Sequence, residues 1–292
     1  DRAVKMNPNG VAFVDAIENE WIVTYQEADE LMKKIALQLI DWGVNPGDKV
    51  TAAMVNSVAL SLVIQAIGYI GAVFVPLHAF YREAEWRYII KHSDAVAIFT
   101  DEIHRGFSLT KLAAKIQQEI SAVKHVVVRG NPEHGQVSLE GILKKDWSKK
   151  YPGDYIYDVF FKESPMSADD LQEIIYTSGT TGPPKGVMHT HDDNIHHALC
   201  WIYHLDLRPN DSLLNLAIMS HQLGYGILWA CFTYTALPQY FIGDWDMERC
   251  LKAMDKWKPT IIGLNPPLVT MIARASDIDK IDTSSIRAFL SA

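Results

Sequence analysis

The chain has 292 residues, of which 48% are hydrophobic and 21% charged, with a formal net charge of -8. That is ordinary globular composition, with length for one large core or two. The acidic balance argues against nucleic acid as a partner, because a phosphate backbone attracts a basic face, but it permits a local basic pocket.

In chain order, the first clear element is a helix entered at Thr24. Thr24-Tyr25-Gln26-Glu27 is a capping box, in which hydroxyl and carboxylate each satisfy an orphan backbone N–H. Ala28, Leu31, Met32, Ile35, Ala36, Leu39 and Ile40 then recur at helical period, and Gly43 follows as a C-terminal stop. Pro46-Gly47-Asp48 turns the chain into a strand predicted over 49–55. The alternation repeats: helix 57–69 and strand 72–77, helix 83–92 and strand 95–100, helix 109–122 and strand 125–129. Residues 58–75 form the most apolar stretch, but Ser61, Gln65, Gly68 and Gly71 interrupt it; a buried helix followed by a buried strand explains it better than a membrane span, which needs roughly 20 mostly apolar residues.

Residues 130–167 break the rhythm with Pro132, Gly135, Pro152, Gly153 and Pro165 amid charge, and read mostly as connection. Strands are then predicted over 171–176, 211–218, 239–242, 260–264 and 286–290, and helices over 196–205, 226–235, 247–256 and 267–275. Strands alternating with helices of this length imply βαβ units and parallel sheets. The expected division is a first αβ subdomain with its connector over 1–165 and a second αβ subdomain over 166–292.

Cys200, Cys231 and Cys250 are far apart, odd in number and never paired as CxxC, which argues against a disulfide framework or a zinc site and for buried thiols in a reducing cytosol. No N-terminal stretch has the layout of a signal peptide, so a cytoplasmic location is expected. The run Ile286-Arg287-Ala288-Phe289-Leu290-Ser291-Ala292 meets no turn or cap, as expected of part of something longer.

The segment carrying chemistry is Tyr176-Thr177-Ser178-Gly179-Thr180-Thr181-Gly182-Pro183-Pro184-Lys185-Gly186, between two β-like runs. Gly179, Gly182 and Gly186 let the backbone approach a ligand closely. Successive N–H groups in such a turn form a concave anion site. Ser178, Thr180 and Thr181 add hydroxyl donors, and Lys185 a mobile positive charge suited to phosphate. A polar surface loop draws on the same residue types, but seldom with three glycines and three hydroxyls around one lysine. The nucleotide-hydrolase pattern fails, because Pro184 precedes Lys185 and Gly186 follows it.

This loop resembles the phosphate-binding signature of the adenylate-forming superfamily: acyl-CoA synthetases, luciferases and the adenylation domains of peptide synthetases. Thr24-Tyr25 with Glu27, the run from Gly43 to Val50, the run from Gly71 to Leu77 and His189-Thr190-His191 resemble other family segments in the same order, so the resemblance covers essentially the whole chain. It implies an α/β fold, the layered αβαβα N-terminal domain with two mainly parallel sheets and helices, stopping before the C-terminal lid domain. It also implies the reaction. A carboxylate attacks the α-phosphate of Mg-ATP to give an acyl-adenylate and pyrophosphate, and a thiol, usually that of coenzyme A, then takes the acyl group. Thr177, Ser178, Gly179, Thr180, Thr181, Gly182 and Lys185 would hold the nucleotide phosphates, with Thr180 and Lys185 also catalytic. No dedicated cage for Mg2+ is evident, as is usual for that ion.

Ser220-His221-Gln222-Leu223-Gly224 matches the place where the family puts an aromatic or histidine residue at the acyl site. The resemblance assigns His221 to contact near the substrate carboxylate and adenylate, while Gly224 and Gly226 would let the next helix pack close and leave acyl room. Peptide-synthetase domains for α-amino acids place an aspartate nearby; Ile218, Met219, Ser220 and His221 offer no carboxylate, so an uncharged fatty or aryl acid is favoured. Trp229 either limits acyl length or packs the core. His189, His191, His196 and His197, with Asp192 and Asp193, look like a metal cluster but lack a zinc spacing; a helix capped by Thr190 or Asp192 explains them better. Pro266 and Pro267 match the family's proline step into a helix beside the acyl pocket, and proline in a first helical turn needs no further reason. In the family, a glycine-rich adenine-contacting segment, an acidic ribose contact, a hinge and a domain with the catalytic lysine follow the last strand; none is in these 292 residues, so the chain alone is expected to be inactive. The leading reading is an acyl-CoA synthetase acting on a small-molecule acid in fatty acid metabolism, with a homodimer compatible. The alternatives are an acyl carrier-protein ligase, a luciferase-like enzyme, or a non-catalytic nucleotide-binding module.

Overall fold

The computed structural model describes residues 2–17, 20–177 and 182–291. The chain opens with α1 (Arg2–Met6), β1 (Val11–Asp15), β2 (Trp21–Thr24) and α2 (Tyr25–Asp41). The expected capping box is present: the Thr24 N–H donates to Glu27 Oε2 at 2.8 Å and the Glu27 N–H to Thr24 Oγ1 at 3.2 Å. After α2, Gly43 adopts φ 76° and lets the Val44 N–H return to Leu39 O at 3.0 Å, a left-handed stop.

The alternation continues with β3 (Lys49–Ala53), α3 (Val58–Tyr69), β4 (Val73–Pro76), α4 (Glu83–Ser93) and β5 (Ala97–Asp101). A small hairpin, β6 (Ile103–His104) and β7 (Phe107–Ser108), precedes α5 (Leu109–Glu119) and β8 (His125–Arg129). The expected connector contains β9 (Val137–Ser138), α6 (Leu139–Lys144), a π-helical turn (Ile156–Phe160) and α7 (Phe161–Glu163). Then come β10 (Leu171–Thr177), β11 (Lys185–Thr190), α8 (His191–His204) and β12 (Leu213–Asn215). A π-helical segment (Leu223–Trp229) runs into α9 (Ala230–Tyr234), followed by β13 (Gln239–Phe241), α10 (Met247–Trp257), β14 (Ile261–Gly263), α11 (Pro266–Ala273) and β15 (Ala288–Leu290).

The chain forms two compact units. One comprises residues 1–29, 55–61 and 193–292, the other 30–54 and 62–192. Their segments alternate along the chain, whereas the sequence suggests one cut near 165; a linear reading cannot see that β1 pairs in parallel with β13, more than 200 residues away.

The unit of residues 30–54 and 62–192 holds a seven-stranded sheet among the described residues, in the order β11-β10-β4-β3-β5-β8-β9. All neighbours run parallel except β10 and β11. Every residue of β4 and β5 is buried; β4 is accordingly apolar throughout, while β5 is apolar up to Thr100 and Asp101. The other unit holds a six-stranded sheet, β15-β14-β12-β13-β1-β2, parallel except for β1 with β2. Leu213 and Ile261 face a core with Cys231 and Phe232, while Leu214 and Ile262 face another with Cys250, Ala253 and Met254 of α10. That alternation covers both faces of the sheet with helices. Among the described residues no helix is long and apolar enough to cross a membrane.

Candidate functional site

The phosphate-loop sequence connects β10 to β11. These strands form an antiparallel pair in which Tyr176 faces Gly186 and Thr177 faces Lys185. Ser178, Gly179, Thr180 and Thr181 lie outside the described residues. Thr177 is exposed, and its Oγ1 lies 3.5 Å from the Lys185 carbonyl. Gly182 and Lys185 are exposed, so the amine is open to a ligand from solvent. Gly186 is required by close approach: a Cβ there would lie 2.7 Å from Ile174 Cγ2 and 3.3 Å from Tyr176 Cζ. The Tyr176 hydroxyl is pushed up to about 12, first by burial, then by Tyr88 and Asp94, so it stays protonated in neutral solution.

His221, Gly224 and Gly226 belong to the other unit. β12 ends at Asn215, and the chain turns through residues 216–222 into the π-helical segment. The predicted strand over 211–218 is thus cut to three residues. Two anchors cause the turn. The Leu216 and Ala217 N–H groups both donate to Gly263 O, at 2.7 and 2.8 Å. The buried Asn56 side chain donates to Asn215 O at 3.1 Å and Ala217 O at 2.7 Å and accepts from the Met219 N–H at 2.8 Å. Asn215 donates through Nδ2 to Gly224 O at 3.0 Å. A Cβ on Gly224 would lie 2.3 Å from Ile218 O and 2.6 Å from Ala217 O, so only glycine allows this turn to close. At Gly226 the space is filled by the Gln222 amide, whose Nε2 would lie 2.2 Å from a Cβ. Gly224 is thus required by close backbone approach, whereas the neighbour of Gly226 is the movable end of a side chain.

His221 is exposed at this turn. Its Nδ1 accepts from the Leu223 N–H at 3.3 Å. In the neutral ring that leaves the proton on Nε2, free to donate to an anionic oxygen. Sequence reasoning names His221 and the two glycines as candidates and passes over Asn56 and Asn215, which hold the turn that carries them. The available signal is Asn56-Ser57 between a strand and a helix: Ser57 caps α3 by accepting from the Leu60 N–H at 3.2 Å, which leaves Asn56 for another task.

The remaining candidates resolve simply. α8 begins at His191, and its first N–H groups are met by backbone: His191 N donates to Asp170 O at 3.1 Å and Asp192 N to Ala168 O at 2.9 Å. Burial lowers the His191 imidazole, opposed by Asp170. No cluster of three His, Cys, Asp or Glu side chains is gathered among the described residues. Trp229 is buried, donates from Nε1 to Ser61 Oγ at 3.1 Å and stacks on Tyr225 at 5.3 Å, a core role. α11 starts at Pro266 with Pro at its first positions, as expected.

The AMP-binding enzyme family model matches residues 1–292. The chain is 25% identical over 277 residues to 4-coumarate–CoA ligase CCL1 of Humulus lupulus, covering 92% of this chain and 47% of that protein. It is 28% identical over 278 residues to the putative acyl-CoA synthetase YngI of Bacillus subtilis, covering 90% and 50%. The chain thus spans about half the length of the curated relatives it matches. The fold is shared with the N-terminal domain of FACL13 from Mycobacterium tuberculosis, with a TM-score of 0.82 at 22% identity over 99% of this chain and 67% of that one. With the family model matching its full length and the two mainly parallel sheets, this chain belongs to the AMP-binding, adenylate-forming enzyme family.

Proposed function

We propose that the protein carrying this chain activates an uncharged carboxylic acid with ATP and passes the acyl group to coenzyme A. The supporting observation is the β10/β11 hairpin, which presents an exposed Lys185 directly opposite Thr177 at the mouth of the phosphate loop. In this reading, loop N–H groups with Thr177, Ser178, Gly179, Thr180, Thr181, Gly182 and Lys185 hold the β- and γ-phosphates. A substrate carboxylate oxygen bonds to the α-phosphorus, the bond to the bridging oxygen breaks, and pyrophosphate leaves with its charge met by fixed donors. The CoA thiolate then bonds to the acyl carbon and AMP departs. His221 donates from Nε2 toward the carboxylate or adenylate oxygen, in an acyl pocket bordered by Gly224 and Gly226.

Mg2+ would be held mainly by the nucleotide phosphates, as is usual for that ion, and would offset their charge. Residues 218–221 offer no carboxylate for a substrate ammonium, which favours fatty or aryl acids over α-amino acids. The test is ATP–pyrophosphate exchange by the complete protein with a panel of fatty, aryl and amino acids, followed by thioester formation with CoA. Exchange with an uncharged acid is expected. Exchange with none of the panel overturns the proposal, and exchange confined to amino acids overturns its substrate class.

A further inference from the structure

One helix, α4, holds the chain on both sides of residues 178–181. α4 carries Tyr88 and His92 one turn apart, and so on one face. Tyr88 Oη donates to Pro184 O at 2.9 Å, at the end of the loop. His92 Nδ1 lies 2.7 Å from Tyr176 Oη, at its beginning. The rings reinforce the bonds: Tyr88 stacks on His92 at 5.4 Å and 18°, and Tyr176 meets His92 edge-on at 5.7 Å and 85° and Tyr88 at 6.4 Å and 88°. The helix is itself immobilised, with Trp86, Ile89 and Ile90 buried on its inner face.

We propose that Tyr88 and His92 are positioning residues for nucleotide binding, an aromatic brace that ties Tyr176 and Pro184, on either side of the phosphate-loop residues, to one helix. The physical reason is entropic. An anion site made of backbone donors binds well only if those donors are already aligned, and a loop tied at both stems loses less freedom when ligand arrives. The Tyr176 hydroxyl can donate to His92 Nδ1 or accept from it, according to the imidazole tautomer. Asparagine can place an amide oxygen near the Nδ1 position, so His92→Asn is the conservative variant.

This inference rests on the proposed function for its kinetic arm alone; the hydrogen-exchange arm needs no activity. In the complete protein, Tyr88→Phe keeps the ring and removes one bond. It should raise the KM for ATP about fivefold, the factor that one net hydrogen bond implies, with KM for the acid unchanged and the melting temperature lower by no more than about 2–4 °C. In protein without nucleotide, hydrogen exchange of the peptide spanning residues 177–186 should quicken by about the same factor. His92→Ala should act alike and His92→Asn should restore both readouts. Exchange in that peptide unchanged in Tyr88→Phe and His92→Ala overturns the brace. So does exchange that quickens equally in the peptide of β5, which would mean global loosening. If wild-type protein neither binds ATP by calorimetry nor catalyses pyrophosphate exchange, the proposed function falls, and the hydrogen-exchange result still decides the brace.

Discussion

Asn56 offers the sharpest test of how the His221 turn is held. Its side chain makes three hydrogen bonds, at 3.1, 2.7 and 2.8 Å, to Asn215 O, Ala217 O and the Met219 N–H, and is 6% exposed. Asn56→Ala deletes all three and leaves buried backbone groups without those partners. At about 1 kcal/mol net for each bond, the expected loss is about 3 kcal/mol. At roughly 2–4 °C per kcal/mol for a domain of this size, the melting temperature should fall by about 6–12 °C. Asn56→Asp separates hydrogen bonding from bulk. It keeps the acceptor for Met219 but turns a carboxylate oxygen toward two carbonyls, so at pH 7 it should destabilise at least as much as alanine. The burial and the carbonyls raise the folded-state pKa of the new carboxyl. Its cost therefore sets in as pH rises above the unfolded value, about 3.9, and part of the stability returns below it, where the protonated acid can donate. Calorimetry across pH 3–7 reads both effects. An alanine variant that loses less than about 1 kcal/mol, or an aspartate variant equal to wild type at pH 7, refutes the reasoning.

Other outcomes follow from the same structure. Asp211 is 4% exposed and paired with Arg287 at 2.5 Å (Nη2 to Oδ2) and 2.8 Å (Nε to Oδ1), with Thr260 Oγ1 at 2.7 Å. Burial pushes this carboxyl up, but Arg287, the Arg208 N–H and Thr260 together hold it below its ordinary range. Its contribution is present above the unfolded pKa and lost as pH falls through the folded one. Arg287→Met should cost about 3 kcal/mol at pH 7, the lower end for breaking a buried pair because Arg287 keeps some solvent access, and the difference from wild type should shrink below about pH 4 in urea titrations. The Cys231 and Cys250 thiols are pushed up to about 12 by burial, while Cys200 is exposed. Ellman's reagent should thus titrate one of this chain's thiols in the native protein and all three in denaturant; prompt modification of all three natively refutes that burial. Lys185→Ala in the complete protein should lower pyrophosphate exchange at least tenfold without changing the melting temperature, since the exposed amine supports no core contact; unchanged exchange removes its role.

Sequence by itself determined the local elements whose signals are local. The Thr24 capping box, the Gly43 stop and the apolar strand β4 are legible because the residues that cause them lie within a few positions of one another. β1 and β2 are absent from that reading because five and four residues carry little periodicity, and they form by pairing with distant partners: Phe13 opposite Gln239, and Val14 opposite both Tyr240 and Ile22. The strand predicted over 211–218 stops at Asn215 because Asn56 and Gly263, remote in sequence, capture the next backbone groups. The same limit applies to the site. Residue type and spacing mark Lys185 and His221 as candidates. Tyr88, His92 and Asn56 carry no chemical signature of their own, and their roles come from the carbonyls and hydroxyls that folding sets within 2.7–3.1 Å of them. Chemistry that sits in one loop is written in the chain, whereas the scaffolding that holds such a loop still is written in contacts that exist only once the sheets have formed.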